Sequence, residues 1–331
     1  MERVVNNLNH ALLEVMKTDS SVYLVGEDLL DPYGGAFKVS RGLSSAFPDR
    51  VLSTPISEGG LLGVANGLVL AGNKAIAELM FGDFTFLAMD QIVNFAAKSA
   101  TMYGERLPFP LLIRCPVGGR RGYGATHSQT IGKHLIGVPN LSLYELSPLH
   151  ENLPRLRGIF ASERPSILFE NKILYTQKQY VDDVIDDLYT RRFLDDDEQT
   201  AILETGEQPD VILVTGGGTL SICLEAARRL LLEVDCAVDI VVPHRIYPFP
   251  VEVLDGLLGG RTRVAVVEEG TSGGAWGSEV ADVVYRRYWD RLPGRIVGIQ
   301  SADSIIPSAR HLEDQILVSS AQIVREICEE L

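Results

Sequence analysis

Glu58 opens the segment TPISEGGLLGVANGLVLAG (54–72), where a carboxyl group stands at the first turn of a helix. Such a group can exchange a proton with a bound base, or it can simply complement the positive end of the helix dipole, and residue type alone leaves both roles open. His127 lies near the end of a glycine-rich loop, PVGGRRGYGATHSQT (116–130). Imidazole changes charge near neutral pH, and a loop after a strand is the expected site edge of a parallel sheet. With no cysteine or acidic residue close by in sequence, His127 could equally be a surface side chain. Met80 and Phe84, four apart beside Asp83 in ELMFGDFTFLAMDQIVNFAAK (78–98), read by default as core packing at a strand-to-helix junction. VTGGGTLS (214–221) could offer amide groups to a phosphate, but Ser221 and the run Val241, Val242, Pro243 stand where the dinucleotide fingerprint needs a small residue and an acid. A tight strand-to-helix turn is the expectation there. No metal-ligand set is found.

The elements that must hold these residues follow from the apolar pattern. VYLVGED (22–28), AIAELMF (75–81), PLLIRCPV (110–117), LSLYEL (141–146) and SILFEN (166–171) are short β-rich runs between helical stretches. Continuous apolar runs suit strands covered on both faces, so the first half is expected to be an open, mainly parallel α/β sheet. The N-terminal stretch puts Val4, Leu8, Ala11, Leu12 and Val15 on one helical face. Gly59, Gly63, Gly67 and Ala71 recur every fourth residue. Glycine in a helix costs about 1 kcal/mol relative to alanine, so a smooth stripe of this kind implies close backbone approach, with a subunit interface its natural use.

Eight carboxylates fall between Asp182 and Glu198, and the next apolar run begins at Val211. A solvated junction is expected there, dividing the chain into a first domain over 1–185, an acidic linker over 186–209 and a second, smaller α/β domain over 210–331. A charged surface helix is the alternative reading of that segment.

The 331 residues carry 30 Lys plus Arg against 44 Asp plus Glu, a formal charge of −14, with 46% hydrophobic residues. Ordinary globular composition excludes disorder, and the negative surface makes nucleic acid an unsuitable partner. The most apolar stretch, Leu61 to Gly72, is too short for a bilayer span, which needs about 20 residues. The start has no uninterrupted apolar core for a signal peptide. Cys115, Cys223, Cys236 and Cys328 are too far apart for a zinc ribbon and read as buried thiols in a reducing cytoplasm.

GED (26–28), GGAFKVSRGL (34–43), TPISE (54–58), DQIVNFAAK (90–98), HSQ (127–129) and FENKILY (169–175) together resemble, in order and spacing, the β subunit of the thiamine-diphosphate-dependent decarboxylating component of 2-oxo acid dehydrogenases. Pyruvate, branched-chain 2-oxo acid and acetoin dehydrogenases form that family. The thiamine-enzyme pattern E-x-x-x-x-G-Φ-x-x-G-Φ is met by Glu58, Gly63, Val64, Gly67 and Leu68. The resemblance implies a pyrimidine-binding domain followed by a transketolase C-terminal domain, assembled with a separate α subunit as an α2β2 heterotetramer. It implies that Glu58 bonds a ring nitrogen of the cofactor's aminopyrimidine, favouring the imino tautomer that can remove the thiazolium proton. Phe84 would pack on the pyrimidine with Met80 close by, and His127 would assist transfer of the acyl group to a lipoyl thiol. The thiamine-enzyme magnesium motif, G-D-G with a later N, does not occur in this sequence, so magnesium and the pyrophosphate half of the site would come from α.

Two departures from the family bear on specificity. VPHRIYPFP (242–250) replaces the usual D-L-R-x-I-x-P-x-D, and SERP (162–165) stands where relatives bind a monovalent cation. Arg164 could meet the converging carbonyls in place of the ion, or the loop could have drifted with Arg164 in solvent. The leading expectation is decarboxylation of a 2-oxo acid with transfer to a lipoyl domain. Its rival is a two-component transketolase-like enzyme of specialised metabolism, moving a two-carbon ketol unit from a ketose phosphate to a lipoyl or acyl carrier protein. A non-catalytic scaffolding subunit is a third, remote reading.

Overall fold

A computed structural model describes residues 2–331, which fall into two compact units. The first unit comprises residues 2–117, 137–144 and 151–179; the second comprises 118–136, 145–150 and 180–331.

In the first unit the strands are β1 (Val22–Gly26), β2 (Val51–Ser53), β3 (Lys74–Glu78), β4 (Leu111–Val117), β5 (Ser142–Glu145) and β6 (Ser166–Asn171), in the order β5-β6-β4-β3-β1-β2. The β1–β2, β1–β3, β3–β4 and β4–β6 pairs are parallel. Every residue of β4 and β6 is buried, as continuous apolar runs require of strands covered on both faces. The helices are α1 (Val4–Thr18), α2 (Leu43–Ala46), α3 (Glu58–Leu70), α4 (Ala97–Ser99) and α5 (Asn152–Ala161). α1 buries Val4, Leu8, Ala11, Leu12 and Val15, the face its spacing predicts.

The second unit holds β7 (Thr190–Phe193), β8 (Thr200–Glu204), β9 (Val211–Thr215), β10 (Val238–Pro243), a short β11 (Arg245–Tyr247), β12 (Arg263–Thr271) and β13 (Val297–Ser301). Its sheet runs β13-β12-β9-β10-β8-β7, parallel from β13 to β10 and antiparallel at β8 and β7. Its helices are α6 (Leu220–Val234), α7 (Trp276–Tyr288), α8 (Arg310–Ile316) and α9 (Ser320–Cys328). No helix among the described residues is long and apolar enough to cross a membrane.

Several expectations are corrected. The segment 186–209 is not a linker, because β7 and β8 within it complete the second sheet. Its acids are turn acceptors: Asp186 Oδ1 takes the amides of Leu188 (2.8 Å) and Tyr189 (2.9 Å), and Asp195 takes that of Gln199. Such local carboxylate-to-amide bonds let a charged sequence form tight turns. The loop 118–136, expected in the first domain, belongs to the second unit. Along the glycine stripe of α3, a Cβ on Gly59 would lie in ordinary contact 3.4 Å from the Leu87 carbonyl, whereas Gly67 faces open space, which leaves a subunit interface as its expected use. Cys115, Cys223 and Cys236 are buried but Cys328 is exposed.

Candidate active site

Glu58 begins α3, and Glu27 follows the last residue of β1; both side chains are buried, at 6% exposure each. The Ser57 amide donates to Glu27 Oε1 at 3.3 Å, which draws the two carboxyl groups to one spot. Burial, and then the neighbouring Glu58 charge, push the Glu27 carboxyl above the usual carboxylate range. Among the described residues no hydrogen-bond donor reaches the Glu58 carboxylate.

Met80 and Phe84 leave the same sheet edge. Gly26 of β1 is in register with Glu78 of β3, so Glu27 and Leu79 leave the two strands at the same level with Met80 one residue further on, and the chain then turns through a 3₁₀ segment, Gly82–Ala88, and a π-helical turn, Asp90–Ala96. A wide turn of the π type is a common device at functional sites. Asn66 Nδ2 of α3 donates to the Gln91 carbonyl (3.1 Å), fixing that turn against the helix that carries Glu58. Phe84 meets Phe81 edge-on at 5.8 Å, and Phe81 meets Phe37 at 5.6 Å. Phe37 stacks on Tyr175 at 5.3 Å, whose hydroxyl donates to Glu170 at 2.7 Å. Arg114, itself buried, binds Glu170 through Nε (2.7 Å) and Nη2 (2.9 Å) and Glu78 through Nη1 (2.8 Å). A paired ionic core of this kind orients the aromatic run that ends at Phe84.

His127 stands in the second unit, half-buried, with Thr126 Oγ1 at 2.9 Å from its Nδ1. Its loop is held to that unit by carboxylates. Glu269 accepts the Gly119 amide (2.7 Å) and Arg120 Nε (3.3 Å), and Glu313 accepts the Arg120 amide (2.7 Å). The glycines explain the path: Gly118, Gly122 and Gly124 have φ of 89°, 69° and 75°, values that disfavour a side chain.

The 214–221 turn is the tight strand-to-helix turn expected of it. Gly218 N donates to Glu145 Oε1 at 2.8 Å, so a carboxylate of the chain occupies the place a phosphate would need, and a Cβ on Gly217 would overlap the Leu146 carbonyl. Burial raises Glu145 to about 7. In the 162–165 loop three carbonyls have neutral donors: Ser166 Oγ donates to Arg164 O (3.0 Å), and the amides of Phe109 and Ser142 donate to Glu163 O (2.9 Å) and Pro165 O (3.1 Å), while Ser162 Oγ donates back to Ile159 O of α5 (2.7 Å). The substitution of Arg164 for an ion is therefore not what holds this loop. Sequence reading also missed Glu27 and Glu269, although a carboxylate just past a parallel strand, as in GED and VVEEG, marks the ligand edge of such a sheet.

Residues 4–178 match the family model for the transketolase pyrimidine-binding domain, and residues 200–323 match that for the transketolase C-terminal domain. The chain is 30% identical over 326 residues to the rice (Oryza sativa subsp. japonica) chloroplastic pyruvate dehydrogenase E1 component subunit beta-3, covering 97% of this chain and 81% of that protein. The chain belongs to the family of pyruvate dehydrogenase E1 β subunits, within the transketolase fold. The β subunit of Rickettsia felis is also 30% identical, with coverage of 97% and 95%. A split-gene transketolase solved as an inactive β4 tetramer shares the fold, with a TM-score of 0.73, 21% identity and coverage of 98% and 97%. As in the family's pattern, the glutamate of E-x-x-x-x-G-Φ-x-x-G-Φ is the residue that opens α3.

Proposed function

We propose that the chain is the β subunit of a thiamine-diphosphate-dependent enzyme that decarboxylates a 2-oxo acid and passes the acyl group to a lipoyl domain. It works with a separate α subunit in an α2β2 heterotetramer, in the cytoplasm, and α supplies the magnesium motif. The observation that carries this reading is Glu58: a buried carboxylate inside the complete thiamine-enzyme pattern, with no donor among the described residues. A buried carboxylate needs a donor, and a protonated aminopyrimidine ring nitrogen is one. The residues present fit the group.

When bound, the cofactor supplies an acidic thiazolium carbon and an electron sink for the carboxyl group that leaves. Glu58 holds a proton at the ring nitrogen. Glu27, raised by burial and then by the Glu58 charge, keeps a second titratable carboxyl beside it. Met80 and Phe84, half-buried, wall the ring and keep water from it. His127 would give a proton to the sulfur released as the lipoyl disulfide of the acceptor opens, with Thr126 Oγ1 fixing its Nδ1 side.

The test is product identification. This chain, its α subunit, thiamine diphosphate and magnesium are incubated with pyruvate, branched-chain 2-oxo acids or a ketose phosphate, and with a lipoyl domain or an acyl carrier protein. Carbon dioxide release with acylation of the lipoyl domain is expected. Ketol transfer from the ketose phosphate without carbon dioxide release would overturn the assigned donor class.

A further inference from the structure

The turn after β12 gathers oxygen atoms around one ammonium group. Lys133 Nζ lies 3.0 Å from Thr271 O, 3.0 Å from Thr271 Oγ1, 3.4 Å from Ser272 O and 3.2 Å from Gly273 O. Gly273 and Gly274, at φ of 92° and 60°, reverse the chain just beyond and permit three consecutive carbonyls to face one point. Carbonyl dipoles that converge in this way make a region of negative potential, which suits a small cation. An ammonium group has three N–H donors and no acceptor, so four oxygens saturate it.

This contact sits on the His127 loop. Glu269 holds one end of the loop at Gly119 and Arg120, and Thr271, two residues further along β12, holds the other end through Lys133. The loop is therefore pinned twice to one strand, with His127 between the pins. A cavity of about 470 Å³ in the same unit is lined by Ala125, Gln129 and Lys133 of the loop together with Glu269 and Thr271 of β12. Burial, and then the positive charge of Lys133, hold the adjacent His134 below its ordinary value.

We infer that Lys133 is a built-in monovalent cation: its ammonium group fills the 271–273 oxygen cage and so positions the loop that carries His127 as a wall of this cavity. Lys133 is a positioning residue in this arrangement and does not itself need to touch a substrate.

The experiment uses the full chain, wild type and Lys133→Ala, melted in ammonium, potassium and tetramethylammonium chloride at equal ionic strength. Wild type should melt alike in all three salts. The variant should melt about 4 °C lower in tetramethylammonium and recover most of the loss in ammonium or potassium, whose ions can enter the vacated cage. Carbethoxylation of His127 by diethyl pyrocarbonate should change at least about twofold in the variant and return toward the wild-type rate with ammonium, which simple loss of stability would not produce. Equal melting of the variant in all three salts, or a His127 rate that ammonium leaves unmoved, would overturn the proposal. Should Lys133→Ala not fold in any salt, the wild-type chain decides. Reductive methylation followed by mass spectrometry should label Lys133 at least about tenfold more slowly than the exposed Lys38 and Lys98. Equal labelling would show that the cage does not hold the ammonium.

Discussion

Glu27 accepts the amide hydrogen of Ser57, the residue before Glu58, and so two buried carboxyl groups share the end of β1. Burial, and then the Glu58 charge, raise Glu27 and give the site a second proton-binding group next to the residue that carries the thiamine pattern. Glu58→Gln keeps the size but cannot supply the proton, and turnover of the assembled enzyme should fall at least about a hundredfold, with cofactor binding reduced much less. Glu27→Gln should fall short of that loss. Exchange of the thiazolium proton, followed by NMR, measures both; more than half of wild-type exchange in Glu58→Gln would leave Glu58 only a helix-dipole role.

His127→Ala should separate the two half-reactions. Decarboxylation read with an artificial electron acceptor should drop less than about threefold, and acyl transfer to a lipoyl domain at least about a hundredfold. Equal losses would contradict the assignment of His127 to the acceptor step.

The 162–165 loop predicts indifference to potassium. The carbonyls of Glu163, Arg164 and Pro165 are met by the Ser166 hydroxyl and two backbone amides, and no hydrogen bond from the Arg164 guanidinium reaches them among the described residues. Wild-type melting temperature should be the same in potassium and tetramethylammonium, and Arg164→Ala should change stability by no more than about 0.5 kcal/mol. A potassium-specific gain in the wild type would reveal an ion at this loop.

Glu145 predicts a pH dependence of stability. Burial raises it from 4.5 to about 7, so the folded chain binds its proton more tightly than the unfolded chain does. The stabilisation is complete below the unfolded value and is lost as pH rises through about 7. Glu145→Gln keeps an acceptor for the Gly218 amide and cannot ionise. It should therefore leave the melting temperature near wild type at acidic pH and raise stability by about 2 kcal/mol at pH about 8. Chemical denaturation at the two pH values checks this, and a variant equally destabilised at both would show that the carboxyl is not the strained group.

Much of this protein is legible in its sequence because periodicity and local motifs are local physics. The apolar runs at 110–117 and 166–171 suit doubly covered strands, which they form, and the α1 face follows from the spacing of Val4, Leu8 and Leu12. Glu58 is set by its place before a glycine-spaced helix, a pattern complete within eleven residues. Tertiary structure alone decided what spans long sequence separations. Nothing in 118–136 announces that Glu269 and Glu313, roughly 150 and 190 residues later, take its amides and give that loop to the second unit. The acidic 186–209 segment looked like a linker because charge density is visible in sequence, whereas the amides its carboxylates accept from are fixed only once β7 and β8 pair. Lys133 is one of seven lysines until the 271–273 turn closes around it: a charge finds its partner through the fold, and the order of residues along the chain does not encode that distance.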